Sequence, residues 1–188
     1  TITPDMFFPS TACFIQKKLG LKAIPCFDMG AACTGYIYAL STAAQFVKTG
    51  AYKNILVVAA EKLSAITDWQ DRSTCVLFGD GAGAAIVSGV KGDMEIGEFF
   101  LGADGEQTDI LNLPAGGSFC PASEETVRQH MHFLKMSGQE VFKHAVRMMS
   151  ESAEHVIEKA GITSDMIDYL LPHQANMRII QALAKRLK

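Results

Sequence analysis

The run Ile55-Leu-Val-Val-Ala-Ala60 is continuously apolar, and of all features in the chain it most restricts the fold. An unbroken apolar run of this length reads as a strand covered on both faces, because a half-exposed strand would alternate. Upstream of it, Tyr36, Leu40, Ala43, Ala44 and Val47 recur at helical spacing between Cys33 and Lys48, with Gly50 as a stop. Ile24 to Met29 reads as a strand before that helix. Strand, helix, strand in this order predicts a parallel pair with a right-handed crossover, and hence an α/β fold.

The rest of the chain is compatible with such layers. Ser10 opens a short helix that Gly20 closes. Cys75-Val-Leu-Phe78 and Ala84-Ala-Ile-Val87 read as strands around a glycine-rich turn, and Met94 to Leu101 as a further strand. Residues 107–132 form a long excursion, after which Ser137-Gly-Gln-Glu140 fits a capping box at the head of a long helix ending at Gly161. Ile167 to Leu171 is a last predicted strand, Pro172-His-Gln-Ala175 a tight loop, and Asn176 starts a final helix. Cys33 and His173 then each follow the C-terminal end of a strand, the edge where ligands of α/β sheets gather.

Composition excludes several classes of function. Net charge is -3, which gives no general attraction to nucleic acid. The five cysteines include no C-x-x-C pair, so neither a disulfide framework nor a thiolate metal cage is expected, and a reducing cytoplasm fits. The uncharged run Met29 to Val47 contains Ser, Thr, Gly and Gln, so it predicts a helix buried in protein and no membrane span. The chain starts at Thr1 and stops within an amphipathic pattern; both ends read as truncated.

Cys33 is the strongest chemical candidate. At a helix N-terminus unpaired N–H groups and the dipole favour a thiolate, lowering a thiol pKa from about 8.5 to about 7.5 or below. Ala31, Ala32 and Gly35 leave room beside it for a carbonyl. His173 is the candidate base or hydrogen-bond donor. His130 and His132 lack a third ligand nearby, so no metal site is expected. The stretch Phe78-Gly-Asp-Gly-Ala-Gly83 is not followed by a helical pattern, which argues against a dinucleotide loop. Arg178, Lys185 and Arg186 fall on one face of the last helix, fit for an acidic partner.

Four segments carry a resemblance: Asp28-Met-Gly-Ala-Ala-Cys33-Thr-Gly-Tyr36, Asp71-Arg-Ser-Thr-Cys-Val-Leu-Phe-Gly-Asp-Gly-Ala-Gly-Ala-Ala85, Met136-Ser-Gly-Gln-Glu-Val-Phe142 and Leu171-Pro-His-Gln-Ala-Asn-Met-Arg178. In order and spacing they resemble ketoacyl-acyl-carrier-protein synthase III. The resemblance implies a thiolase-like α/β fold, layered αβαβα with mixed sheets, of which this chain is an incomplete portion. Residues 1 to about 100 would be the rest of an N-terminal half carrying the nucleophile, and about 101 to 188 the start of a C-terminal half carrying the catalytic His.

It also implies a cytoplasmic homodimer of bacterial fatty-acid synthesis that uses acyl-CoA and acyl carrier protein and no cofactor. Cys33 would accept an acyl group and His173 would hydrogen-bond the malonyl thioester oxygen during decarboxylation. Arg72 would contact the CoA nucleotide and Asn176 the pantetheine arm; Phe8, Phe78 and Met136 would also bind substrate, Phe8 bordering the partner subunit's acyl pocket. Arg178, with Lys185 and Arg186, would meet the carrier protein. The family's Gly-Asn catalytic motif and the glycine-rich part of its oxyanion hole would follow Lys188, so these 188 residues alone are expected to be inactive. The alternatives are another condensing enzyme of this fold, in polyketide or alkylquinolone synthesis or as HMG-CoA synthase, and a non-catalytic dimerising or carrier-binding module.

Overall fold

The structure, a computed structural model, describes residues 1–92 and 94–187. The chain divides into two compact units, residues 1–65 with 79–96 and residues 66–78 with 97–188.

In the first unit, α1 (Thr11–Lys18) is followed by α2 (Gly35–Lys48), β1 (Asn54–Lys62) and β2 (Asp80–Ser88). The expected parallel pair is corrected here: β1 pairs with β2, antiparallel, from Asn54 opposite Ser88 to Lys62 opposite Asp80. Residues 72–77 lie in turns, and the last four residues of the glycine-rich stretch expected to be a turn, Asp80 to Gly83, begin β2. Its glycines have no close neighbour that would require them: a Cβ at Gly81 or Gly83 would meet nothing within 4 Å.

α2 covers one face of this ribbon. Ala43, Val57 and Val87 are buried together, with Tyr36, Ala39, Leu40, Val47 and Ile55 packed around them. Period-two alternation puts Leu56 and Ile86 on the other face, where they are 42% and 72% exposed. The ribbon is therefore covered on one face only among the described residues, not on both as the apolar run predicts.

The helix stops agree with expectation. Gly20 and Gly50 take φ of 66° and 75°, a region that costs glycine little and other residues more. The start of α1 differs: Ser10 makes no side-chain cap, and the Asp28 carboxylate instead accepts the Thr11 N–H at 2.6 Å and the Ala12 N–H at 2.9 Å. An acceptor brought from another segment does the work of a cap. The Asp28→Ala variant is expected to lose about 1 kcal/mol, read as a lower urea midpoint at unchanged m-value.

The second unit contains β3 (Leu111–Asn112), α3 (Glu124–Arg128), β4 (Lys135–Met136), α4 (Gly138–Ala160) and α5 (Met177–Arg186). β3 and β4 form a short antiparallel pair. The Leu134 N–H donates to Ile66 O and the Ser137 N–H to Ile110 O, tying the long excursion to its surroundings. α4 ends at Gly161 with φ of 66° as expected, but Ser137 makes no side-chain cap and Glu140 pairs with Lys143 at 2.7 Å instead. The capping box occurs at α3, where Ser123 and Thr126 satisfy each other's backbone N–H groups. α4 packs against α5, and α5 buries Ile179 and Leu183.

Three expected strands, Ile24 to Met29, Met94 to Leu101 and Ile167 to Leu171, are not strands among the described residues. A strand exists only through its ladder, and among the described residues no strand pairs with any of them. Their apolar side chains stand open: Phe27, Tyr169 and Leu171 are 59%, 85% and 89% exposed. Total accessible surface is 13509 Å², against roughly 8,800 Å² for a folded monomer of this mass. No described helix is long and apolar enough to cross a membrane, and the uncharged run from Met29 resolves mainly into α2, as expected.

Candidate active site

Cys33 lies in a single 3-10 turn, Ala32–Thr34, which runs directly into α2. The turn is tight. Ala32 has φ of 45°, a left-handed conformation that a residue with a Cβ adopts at some cost. The Thr34 hydroxyl and N–H both donate to Ala31 O, at 2.8 and 3.1 Å. Thr34 therefore gives no side-chain cap to α2, whose leading N–H groups lack intrahelical acceptors. Cys33 is exposed as a residue, and a Cβ at Gly35 would meet nothing within 4 Å, so there is room beside it for an incoming carbonyl.

The electrostatics overturn the expected thiolate. Surrounding protein desolvates the sulfur and this effect comes first; the Cys33 backbone N–H opposes it, while the Glu61 carboxylate adds repulsion, so the thiol is held above its ordinary pKa. Desolvation of the ion outweighs the amides at the helix start. Glu61 was not singled out in the sequence. It ends the apolar strand, where it accepts from the Thr1 and Thr3 hydroxyls and the Ile2 N–H at 2.8 to 3.2 Å. Alkylation of Cys33 is expected to accelerate with pH up to a midpoint above that of a free thiol, and Glu61→Gln to move that midpoint down. Iodoacetamide rates followed by peptide mass spectrometry check both.

Phe8, with Phe7, is almost fully exposed in the same unit. The two rings border an open groove of about 490 Å³ that also takes in Met6, Phe27, Cys13 and Cys26.

The second unit holds the other candidates. His173 is exposed in the loop before α5, and its carbonyl accepts the Ala175 N–H at 2.9 Å. No strand leads directly into either Cys33 or His173 among the described residues, so the expected pair of strand ends is absent. Asn176 is the N-cap of α5, its Oδ1 accepting from Ile179 N–H at 3.0 Å. That use of Asn176 is structural and had not been assigned from sequence.

Arg178, Lys185 and Arg186 are all exposed on α5, which buries Ile179 and Leu183. Lys185 and Arg186 complement the helix dipole at its C-terminal end, whereas Arg178 stands in the first turn, where a cation is disfavoured. Arg72 is exposed in a turn shaped by Asp71, whose carboxylate accepts from the Ser73 and Thr74 hydroxyls at 2.6 and 2.9 Å. Those bonds, the Ser73 hydroxyl first, hold Asp71 below the usual carboxylate range. Phe78 follows that turn, and Met136 lies in β4 against Gly138.

The other histidines have local partners. His130 Nδ1 lies 3.1 Å from Asp68 Oδ2, His132 Nε2 lies 2.9 Å from Thr126 Oγ1, and His155 stacks on Phe100.

The family model for 3-oxoacyl-[acyl-carrier-protein] synthase III matches residues 27–105, and the model for the C-terminal part of 3-oxoacyl-[acyl-carrier-protein] synthase III matches residues 157–188. The chain belongs to this family. Beta-ketoacyl-[acyl-carrier-protein] synthase III of Chlamydia trachomatis is 56% identical over 187 residues, which are 99% of this chain and 57% of the relative. Its counterpart from Caldanaerobacter subterraneus is 54% identical over 188 residues, covering 100% and 57%. Among solved structures, the synthase III of Aquifex aeolicus superposes with a TM-score of 0.86 at 45% identity, over 99% of this chain and 56% of that one. The fold is thus a portion of the thiolase-like α/β fold of this family, and the chain spans a little over half the length of these relatives.

Proposed function

We propose that this chain supplies the acyl-accepting part of a beta-ketoacyl-acyl-carrier-protein synthase III, a decarboxylating condensing enzyme that initiates fatty-acid synthesis. The observation that carries the reading is Cys33, exposed at the tip of a constrained turn at the start of α2, inside the segment that the family model matches.

In this reading Cys33 sulfur attacks the thioester carbonyl of a short acyl-CoA, CoA thiolate leaves, and an acyl-cysteine remains. Because the resting thiol is protonated at neutral pH, its proton has to leave as the carbon–sulfur bond forms. The acyl-enzyme then reacts with malonyl-carrier protein. Loss of carbon dioxide creates a carbanion that attacks the acyl carbonyl, and the Cys33 sulfur departs. A His173 ring N–H would stabilise charge on the malonyl thioester oxygen during that step.

Arg72 would hold the CoA nucleotide, with Asn176, Phe78 and Met136 along the substrate path and Phe8 at the boundary with a second subunit. Arg178, Lys185 and Arg186 would dock the acidic carrier protein; the unfavourable place of Arg178 in its helix supports a role outside the chain. No cofactor is required by this chemistry. A homodimer working in the cytoplasm completes the proposal.

Incubation of the protein, extended to the length of its relatives, with labelled acetyl-CoA and then malonyl-carrier protein tests it. Label on Cys33 that passes into a ketoacyl-carrier product is the expected result. Label that stays on the protein, or passes only to an acceptor other than the carrier protein, would overturn the assignment in favour of another condensing reaction.

A further inference from the structure

Two thiols that the proposed chemistry does not use line one groove in the first unit. α1 and the segment Ile24 to Asp28 run side by side and are tied at two levels. At one, the Asp28 carboxylate accepts from Thr11 and Ala12 at 2.6 and 2.9 Å; at the other, Gln16 Nε2 donates to Ile24 O at 3.4 Å. Cys13 and Cys26 lie between these two ties and both line the groove of about 490 Å³. Cys13 Sγ is 3.3 Å from Ser10 Oγ, and Cys26 Sγ is 3.7 Å from Ile24 O. Each residue is half-buried, so a small reagent can reach it through the groove.

We propose that Cys13 and Cys26 form a dithiol site that small-molecule disulfides of the glutathione class oxidise reversibly to an intramolecular disulfide. The placement favours such a bridge: the two thiols line one groove, on a helix and a neighbouring segment that are already fastened on either side of them. Burial, then the neighbouring Cys13, which is also its hydrogen-bond partner, pushes the Cys26 thiol up.

Oxidation proceeds by two exchanges. One protein thiolate displaces a small thiolate from the reagent and forms a mixed disulfide. The second protein thiolate attacks the protein sulfur of that bond and releases the other small thiolate. Two protein thiols and one small disulfide thus become one protein disulfide and two small thiols, which carry away both protons. The bridge fixes α1 to the run Phe27 to Ala32 that leads into the Cys33 turn, and free thiol reductant reverses it.

The test is titration of the native chain with oxidised glutathione, acid quenching, alkylation and peptide mass spectrometry. The expected result is a linked peptide pair containing Cys13 and Cys26, exceeding their glutathione adducts by about tenfold because the second thiol is present at high effective concentration. Denatured in concentrated guanidinium, the same chain is expected to lose this preference. In C26S, Cys13 is expected to accumulate the glutathione adduct instead. Separate adducts on Cys13 and Cys26 in the native chain, or a bridge from either to Cys33, Cys75 or Cys120, would overturn the proposal without need of any variant.

Discussion

Cys33→Ala is expected to carry no acyl label and to lose ketoacyl-carrier synthesis by on the order of 10⁶-fold, the scale of removing a covalent nucleophile. The assay is acyl transfer from labelled acyl-CoA in the protein extended to the length of its relatives, beside Cys75→Ala as a control. Alanine removes the only atom that forms the intermediate and leaves the turn as it is, since Ala31 and Ala32 already show that the backbone accepts small residues there. Circular dichroism and the urea midpoint should therefore match those of the parent. Unchanged labelling of Cys33→Ala would mean that the thiol merely fills space, and the whole functional proposal would fall with it.

Leu183→Ala is expected to give the largest loss of stability, about 2–5 kcal/mol. Leu183 is 1% exposed and, with Ile179 at 3%, holds α5 against α4. A helix of 10 residues does not persist in water without such packing. Its release would free Lys185 and Arg186 for trypsin, so limited proteolysis should cut there first, and the urea midpoint should fall. Ala184→Ser, on the exposed side of the same turn, should stay within about 0.5 kcal/mol of the parent. A loss below that limit for Leu183→Ala would show that α5 is held by something other than this contact. The same loss would also scatter Arg178 and the Asn176 cap, so carrier-protein affinity in the extended protein should weaken alongside stability.

Much of the local structure was legible because its causes are local. Gly20, Gly50 and Gly161 stop helices by a backbone preference that no distant contact has to supply, and each does so here. The amphipathic spacing of α2 puts Ala43 and Ala44 inside, where they are buried. The caps were less legible. Ser10 and Ser137 have the right chemistry for capping, yet Asp28 reaches α1 from another segment and Glu140 is drawn to Lys143. Competition from a nearby charge or a distant carboxylate decides such cases, and neither is visible in a short window of residues.

The candidate site divides in the same way. Its residue types and their order were readable, and they pointed to the family to which the chain belongs. The acidity of Cys33 was not. Helix-start amides argue for a lowered value, but the protein around the sulfur and Glu61, which lies 28 positions further along the chain, argue for a raised one, and they win.

By itself, then, the sequence determined α1, α2, α4 and α5, the glycine stops of the first three, the position of a thiol at the head of α2 and membership of a family, because each depends on neighbours along the chain or on motif order. Tertiary structure alone decided that β1 pairs antiparallel with β2, that the runs at residues 24–29, 94–101 and 167–171 have no ladder here, and in which direction Cys33 titrates. Ladders and desolvation depend on which atoms arrive from elsewhere in the chain, and periodicity along a segment contains no information about that arrival.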